Sequence, residues 1–449
     1  MGVTVPQIKL SVGQEDLTPI PAQYLKEFRY TSKLGGWYEV ECSLFEPWEF
    51  YRRPGFISFE NKILAAMGTQ ETVQQGEFLI PARQIKFRFG FTTYKDEYWT
   101  LDLNTALKNY NPTLGEAGVD VALSTICWQA EVLASKTNRY TFTGRASDVV
   151  SQICDKFGFK KKIERTDDFR NANRTWSTNT LSIMGFIKKE LLRHARSEAT
   201  GRTDYEVQLL PDNTLVFSPP MSANWHKNPL KFTYLGGRDS VVKSMAPDFK
   251  SDMLGAWGAG GNLKRIYNPY DQQYEQVILN PSEHNNKFAL GGETNIPPRE
   301  VADGIVTGGV SDPDPDAARI EAIRDWQMLS RSVSEAQMEM YGNERTLRLE
   351  GGDVIYAAVQ MPDGSEHWAS GYWLIKEAVH QISGNYSVTL QLQRDYSRIR
   401  ELQGYSIPSG DVTVDGLNIY LNDSGNEGED VDQSWEDYWA DLVQQEEES

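Results

Sequence analysis

WLIKEAVHQISGNYSVTLQLQR, residues Trp373 to Arg394, is the stretch that decides the fold class. Its second half alternates without a break. Tyr386, Val388, Leu390 and Leu392 are apolar, and Ser387, Thr389, Gln391 and Gln393 between them are polar. A period of two is the signature of a strand with one buried face and one wet face. Ser383-Gly384-Asn385 supplies turn residues, so the stretch reads as a β-hairpin. The first arm, Tyr372 to Ile382, is less regular: uninterrupted alternation puts Trp373, Ile375 and Val379 on one face with Glu377.

The same period recurs towards the N-terminus. In FRYTSKLGGWYEVECSLF two runs flank Leu34-Gly35-Gly36, and Tyr38, Val40, Cys42 and Leu44 alternate with polar residues. QIKFRFGF sets Ile85, Phe87, Phe89 and Phe91 against Lys86, Arg88 and Gly90. VDVALSTICWQAEVLA is a further strand candidate. Near Tyr140 the period changes. Ala146, Val149, Val150, Ile153, Cys154 and Phe157 follow helical spacing, and Gly158 stands where a C-terminal cap belongs. A second helix is expected over Leu181 to Ala195, and then a hairpin in YEVQLLPDNTLVFSPP. Leu230 to Phe249 reads as strand, turn and strand. Lys250 to Asp316 reads as a long irregular connection, Asp316 to Tyr341 as a helix, and the chain from Thr346 as β again.

A chain of 449 residues has room for about three domains. Its apolar content of 39% and aromatic content of 11% support a substantial core rich in strands. Three scattered cysteines argue against a disulfide framework and fit a reducing compartment. The opening residues lack the basic-then-apolar pattern of a signal peptide, and no apolar run is long enough to span a membrane. The net charge of −18 is concentrated at one end: Asp411 to Ser449 holds 13 of the 63 acidic residues and no Lys or Arg. The 410 residues before it are nearly balanced, with 45 basic and 50 acidic side chains. An acidic tail repels phosphate, which argues against nucleic-acid binding as the main activity.

No catalytic constellation stands out. The five histidines, His194, His226, His284, His367 and His380, form no pair at helical ligand spacing and lie apart from the cysteines. His380 reads as a tolerated strand residue. No G-x-S-x-G is present. GAWGAGGNLKR lacks the Lys-Ser/Thr of a phosphate loop, and SDPDPDAAR lacks the Gly and Glu of a calcium loop. No catalytic residue, metal or cofactor is therefore expected. The tail does carry one ordered pattern. In SWEDYWADLVQ, Trp435, Tyr438, Trp439, Leu442 and Val443 share one helical face behind Ser434. So short a helix is unstable alone in water. It is expected to dock its aromatic face in a groove of a partner or neighbouring copy, or to fold back on its own body.

Three stretches together resemble the baseplate hub proteins of contractile-tailed bacteriophages, a group that includes the late control protein D family. They are YTFTGRASDVVSQICDKFGF, then WSTNTLSIMGFIKKELLRHA with YEVQLLPDNTLVFSPP, and GGDVIYAAVQMPDGSEHWASGYWLIKEAVHQISGNYSVTLQLQRD, and the likeness runs roughly from Tyr140 to Asp395. The resemblance implies an α+β, mainly β chain with two tube-like antiparallel β-barrel domains and an inserted α+β domain. The corresponding division is 1–138 for the first barrel, 139–230 plus 251–344 for the insertion, 231–250 plus 345–402 for the second barrel, and 403–449 for the acidic C-terminal extension. It further implies a homotrimer whose six barrels form a pseudo-hexameric ring between a six-fold tail tube and a three-fold central spike. Its partners would be the spike, the tail tube or a tube-initiator protein, the tape measure protein and surrounding baseplate wedge proteins. DNA would meet it only in transit through the lumen. The implied place is the virion tail, after assembly in the host cytoplasm. Two other readings stay open: the hub module of a type VI-like secretion spike, and a tail-associated cell-wall hydrolase.

Overall fold

The structure is a computed structural model. It describes residues 5–13, 18–20, 24–54, 57–68, 72–75, 78–81, 84–92, 97–135, 139–167, 174–199, 202–220, 230–234, 241–249, 262–268, 273–279, 324, 328, 334–362, 365 and 367–394. The N-terminal strands are β1 (Val5–Val12), β2 (Thr18–Pro19), β3 (Leu25–Lys33) and β4 (Tyr38–Pro47). Helices α1 (Trp48–Tyr51) and α2 (Phe59–Gly68) follow, then β5 (Thr72–Gln75), β6 (Phe78–Pro81), β7 (Gln84–Thr92), β8 (Glu97–Leu114), β9 (Gly118–Cys127) and α3 (Trp128–Ser135). A central unit contains β10 (Thr141–Thr143), α4 (Ala146–Phe157), β11 (Lys160–Ile163), β12 (Thr175–Ser177), α5 (Ile183–Phe186), β13 (Glu206–Leu209) and β14 (Thr214–Ser218). The remainder comprises β15 (Leu230–Tyr234), β16 (Val242–Phe249), β17 (Asn262–Asn268), β18 (Gln273–Leu279), β19 (Ser334–Tyr341), α6 (Glu344–Leu347), β20 (Val354–Val359), β21 (Gly371–Ser383) and β22 (Asn385–Arg394).

Thirteen strands form one sheet in the order β16-β19-β22-β21-β3-β4-β9-β8-β7-β1-β2, with β20 and β15 branching from β21. The hairpin read from sequence is present. β21 and β22 pair antiparallel up to Ser383 opposite Asn385, and Gly384 makes the turn at φ +76°. Tyr386, Val388, Leu390 and Leu392 are buried as the alternation requires. The irregular first arm has a physical cause. A bulge between Ile375 and Glu377 shifts the register, and one extra residue inverts the alternation that follows it. Trp373 and Ile375 therefore share the core with Ala378, His380 and Ile382, while Glu377 and Val379 lie on the wetter side. The sequence reading had placed Val379 with Trp373. At the same bulge β21 changes neighbour: its first part pairs with β20 and its later part with β3. This seam joins strands from the two ends of the chain.

The sheet also curls. From β22 to β7 is six strand steps in the sheet order, about 29 Å if it were flat. Yet the rings of Phe89 on β7 and Tyr386 on β22 are 5.2 Å apart, and Phe28 lies 5.7 Å from Phe87. The apolar face has closed on itself around these aromatic side chains. They bury large areas and favour edge-to-face contacts such as the Phe89–Tyr386 pair at 86°. Gly342 is part of the same packing, because a Cβ there would sit 1.9 Å from the Tyr386 ring.

The central unit forms as the spacing predicts. α4 buries Val149, Val150, Ile153, Cys154 and Phe157, and Gly158 ends it in the left-handed conformation at φ +72°. The expected second helix begins as α5 and continues through a π turn at Ile187–Leu191 and a 3-10 turn at Leu192–His194. β13 and β14 form the predicted hairpin, and β11 adds to β14 in parallel.

Four expectations are corrected. Trp128–Ser135 is a helix and not the end of a strand. Ser334–Tyr341, read as the end of a helix, is β19: Ser334, Ala336, Met338 and Met340 are buried and alternate with more exposed residues. Between β16 and β22 that period-two burial outweighs helix propensity. The two strands of Leu230 to Phe249 pair with other partners, β15 with β20 in parallel and β16 with β19. The long connection after β16 is not wholly irregular, since β17 and β18 form an antiparallel ladder within it.

Candidate functional site: the polar face of the long sheet

The ladder register places specific polar side chains side by side. Residues directly opposite one another in neighbouring strands project to the same face. Following the pairs across seven strands gives Tyr341, Ser387, Gln381, Arg29, Glu41, Ser124 and Asn109 in one row. The adjoining row on the opposite face is Met340, Val388, His380, Tyr30, Val40, Thr125 and Leu107, and every member is buried. A second solvent-side row runs Glu339, Thr389, Val379, Thr31 and Glu39. A third runs Gln337, Gln391, Glu377 and Lys33. Two of these rows carry polar side chains across the seam, at Gln381–Arg29 and at Glu377–Lys33, while the row between them meets it at the apolar Val379 and the buried Thr31.

Its electrostatics are balanced to slightly acidic. Arg29 lies 3.9 Å from Glu41, Lys376 lies 3.3 Å from Glu335, and Arg88 donates to Asp102 at 2.8 Å. The Asp102 carboxylate, by accepting these bonds, raises the Arg88 pKa further. Gln381 donates to Glu27 at 2.9 Å, and the Trp37 indole N–H to Glu39 at 3.4 Å. Between them stand Ser, Thr and Gln side chains that can trade hydrogen bonds with water at little cost.

The buried side of the seam is held by His380. Its Nε2 lies 2.8 Å from the Leu349 carbonyl oxygen and its Nδ1 2.8 Å from the Tyr386 hydroxyl. A carbonyl only accepts, so Nε2 carries the proton and donates; Nδ1 of the neutral ring then accepts from Tyr386 Oη. The imidazole stacks on Tyr30 of β3 at 5.3 Å and 29°. His380 is a satisfied structural residue on a strand, as the sequence suggested. At the C-terminal end of β22, Arg394 donates to the carbonyls of Ser370 (2.9 Å) and Trp368 (2.7 Å), and its guanidinium lies 4.1 Å from the Trp373 ring.

The central unit grips the end of this face. Leu209 N donates to Gly36 O at 3.1 Å, Gln208 Nε2 to Gly351 O at 2.6 Å, and Lys188 Nζ to Gly35 O at 3.2 Å. Gly35 adopts φ +68° and faces the Glu206 carboxylate, which leaves no room for a Cβ. Burial lowers the Lys188 pKa, Glu206 opposes that shift, and Arg324 adds to it.

The predicted docking residues Trp435, Tyr438, Trp439, Leu442 and Val443 lie outside the described residues, as do His226 and His284. Among the described residues no group of three or more His, Cys, Asp or Glu could hold a metal ion, and no helix is long and apolar enough to cross a membrane. The rows of the polar face were missed from sequence. The alternation of β3, β4, β9 and β22 was visible, but β19 was read as helix, β8 was not read, and the register that aligns the strands was not legible.

No family model and no curated protein matches the sequence. Solved structures do match, and they define a class: the chain has the fold of phage tail proteins. One is the 43 kDa tail protein of prophage MuSo2 from Shewanella oneidensis, at 12% identity and TM-score 0.50, covering 86% of this chain and 98% of that one. Another is the tail protein from Neisseria meningitidis MC58, at 8% identity and TM-score 0.50, covering 87% and 97%. A type VI secretion component from E. coli matches at 10% identity and TM-score 0.45, covering 87% and 77%.

Proposed function

We propose that this chain is a structural hub of a contractile phage tail baseplate. Three copies form a ring in which each contributes two tube-like barrels. One barrel is built on residues 1–138. The other is built on the C-terminal strands, with β19 counted among them. The inserted unit, residues 139–230 plus 251–344 apart from β19, decorates the outside. The ring adapts the six-fold tail tube to the three-fold central spike, with wedge proteins around it. Its lumen meets the tape measure protein and later passes DNA. The chain works by shape in the virion tail and not by bond-making. The acidic extension docks through Trp435, Tyr438, Trp439, Leu442 and Val443.

The observation that carries this reading is the polar rows that continue, through Gln381–Arg29 and Glu377–Lys33, across strands from both ends of the chain. A surface of neutral polar groups and paired charges suits a channel wall that must not retain a polyanion, because unpaired Lys and Arg would bind phosphate. Mass photometry of the purified protein, alone and with its spike, is the test, followed by class averages of the particles. A trimeric mass with a central hole is the expected result. A monomer at every concentration, with and without the spike, would overturn the proposal.

A further inference from the structure

β8 changes neighbours along its length. Residues 97–106 pair with β7 and residues 105–114 with β9. Among the described residues, no strand pairs with the outer half, Leu107–Leu114, on the side away from β9. Residues opposite one another share a face, so Pro112 and Leu114 extend the core-face row of the buried Val121 and Val119. There the row is uncovered: Pro112 is exposed, and Leu114 is 71% exposed. The far end of the sheet shows the same state. β16 is its terminal strand, and Met245 and Pro247 are only half-buried although their register partners Met338 and Ala336 are buried.

The backbone phase of the two edges agrees. Gly115 N donates to Gly118 O at 2.9 Å. Antiparallel pairs alternate between bonded and non-bonded, so counting back from Gly115 directs the backbone groups of Pro112 and Leu114 away from β9. On the other edge Tyr341 N donates to Val241 O at 2.8 Å, and the same count along β19 directs those of Met245 and Pro247 outward. Each edge also carries a lysine in a bulge, Lys108 or Lys243, with its proline four residues on: LKNYNPT at 107–113 and VKSMAPD at 242–248. Prolines and lysines keep indiscriminate strands off an edge. A proline still offers its carbonyl, so a partner whose own proline is out of phase can pair.

Strand direction supplies that partner. β16, β19, β22, β21, β3, β4, β9 and β8 are successive neighbours, and every pair is antiparallel. With eight alternating strands, β16 and β8 run in opposite directions. A second copy continuing the sheet therefore brings its β16 antiparallel to the outer half of β8, core face beside core face. Keeping both prolines inside the ladder sets Tyr110 opposite Pro247 and Pro112 opposite Met245. The rows of Tyr110 and Pro247 cross β22 at Tyr386 and Leu392, six residues apart. A stagger of this kind is what closing a sheet of tilted strands requires.

The geometry points to the outer half of β8 as the seat of β16 from a second copy, joined head to tail by strand pairing and by cover for Leu114, Pro112 and Met245. The inference rests on the ring reading and names the contact between its subunits.

Full-length Asn111→Cys/Ala246→Cys tests it. In this register the two positions face each other in a non-bonded pair, a spacing of about 4.5–5.5 Å that a disulfide can bridge. Both native side chains are exposed, and the three native cysteines are buried. Mild oxidation should give covalent trimers on a non-reducing gel, with mass spectrometry locating the bond between the two introduced thiols. A 1:1 mixture of the two single variants should give linked pairs containing one of each. Leu114→Lys, at an exposed position, should keep its circular dichroism spectrum and raise the dissociation constant of the assembly at least about tenfold. A trimeric mass without the disulfide would overturn the pairing and leave the ring standing. A monomer without it would overturn both. A reciprocally linked dimer would uphold the pairing and overturn the ring.

Discussion

Replacing His380 with Leu tests whether the β21–β3 seam depends on a satisfied imidazole or only on a filled volume. Leu fills much of the same space, so the cavity contribution is small. It cannot donate to Leu349 O, which is buried and would lose its 2.8 Å partner. An orphaned buried acceptor costs about 1–3 kcal/mol. The bond to Tyr386 at 2.8 Å also goes, worth about 1 kcal/mol net. The stack on Tyr30 adds about 0.5–1.5 kcal/mol. The sum is a destabilisation of about 3–5 kcal/mol, read from urea unfolding at constant m-value. Tyr386→Phe alone should cost about 1–2 kcal/mol, because the buried His380 Nδ1 loses its donor while the ring stays. The double variant should show a coupling of about 1 kcal/mol between the two sites. A loss below about 1 kcal/mol for His380→Leu, or strict additivity in the double variant, would refute the hydrogen-bond account of the seam.

Gly35→Ala puts a Cβ 2.4 Å from Glu206 Oε2 in a backbone conformation at φ +68°. It should cost about 1–3 kcal/mol and raise hydrogen exchange in β13 and at Lys188 before the long sheet opens. Arg202 and Asp204 form a buried pair at 2.8 Å. Arg202→Ala alone should destabilise by about 3–5 kcal/mol, and Arg202→Met with Asp204→Leu by much less in thermal unfolding, because the paired removal leaves no lone buried charge. Burial pushes the thiols of Cys42, Cys127 and Cys154 up to about 12. Each raised pKa keeps the thiol protonated below about pH 11, so maleimide or iodoacetamide labelling at pH 8 should be negligible in native protein and complete in urea.

What could be read from the chain was local. α4 was visible because its apolar residues repeat at helical spacing and Gly158 closes the pattern. β22 was visible because nothing breaks its alternation. β21 was half legible: at its bulge its neighbour changes from β20 to β3, and β3 is far away in sequence. β19 was misread because SEAQMEMY tolerates either period, and its neighbours β16 and β22 decide the matter. The short helix α3 follows directly on β9, so strand composition masked it. The polar rows were illegible for the same reason. Arg29 and Gln381 are register partners across more than 350 positions of sequence, and no local pattern encodes that pairing.

The seam between β21 and β3 also sets a schedule for biosynthesis. β3 finds β4 at once through a tight turn, but its other neighbour ends at Ser383. A ribosome adding about 5–20 residues per second needs roughly 20–70 s to supply it. For that interval the nascent chain carries an open strand edge, which is the form most prone to self-association. A message cut short anywhere before residue 371 leaves that edge open for good, so fragments are expected to precipitate and not to poison assembly as soluble decoys.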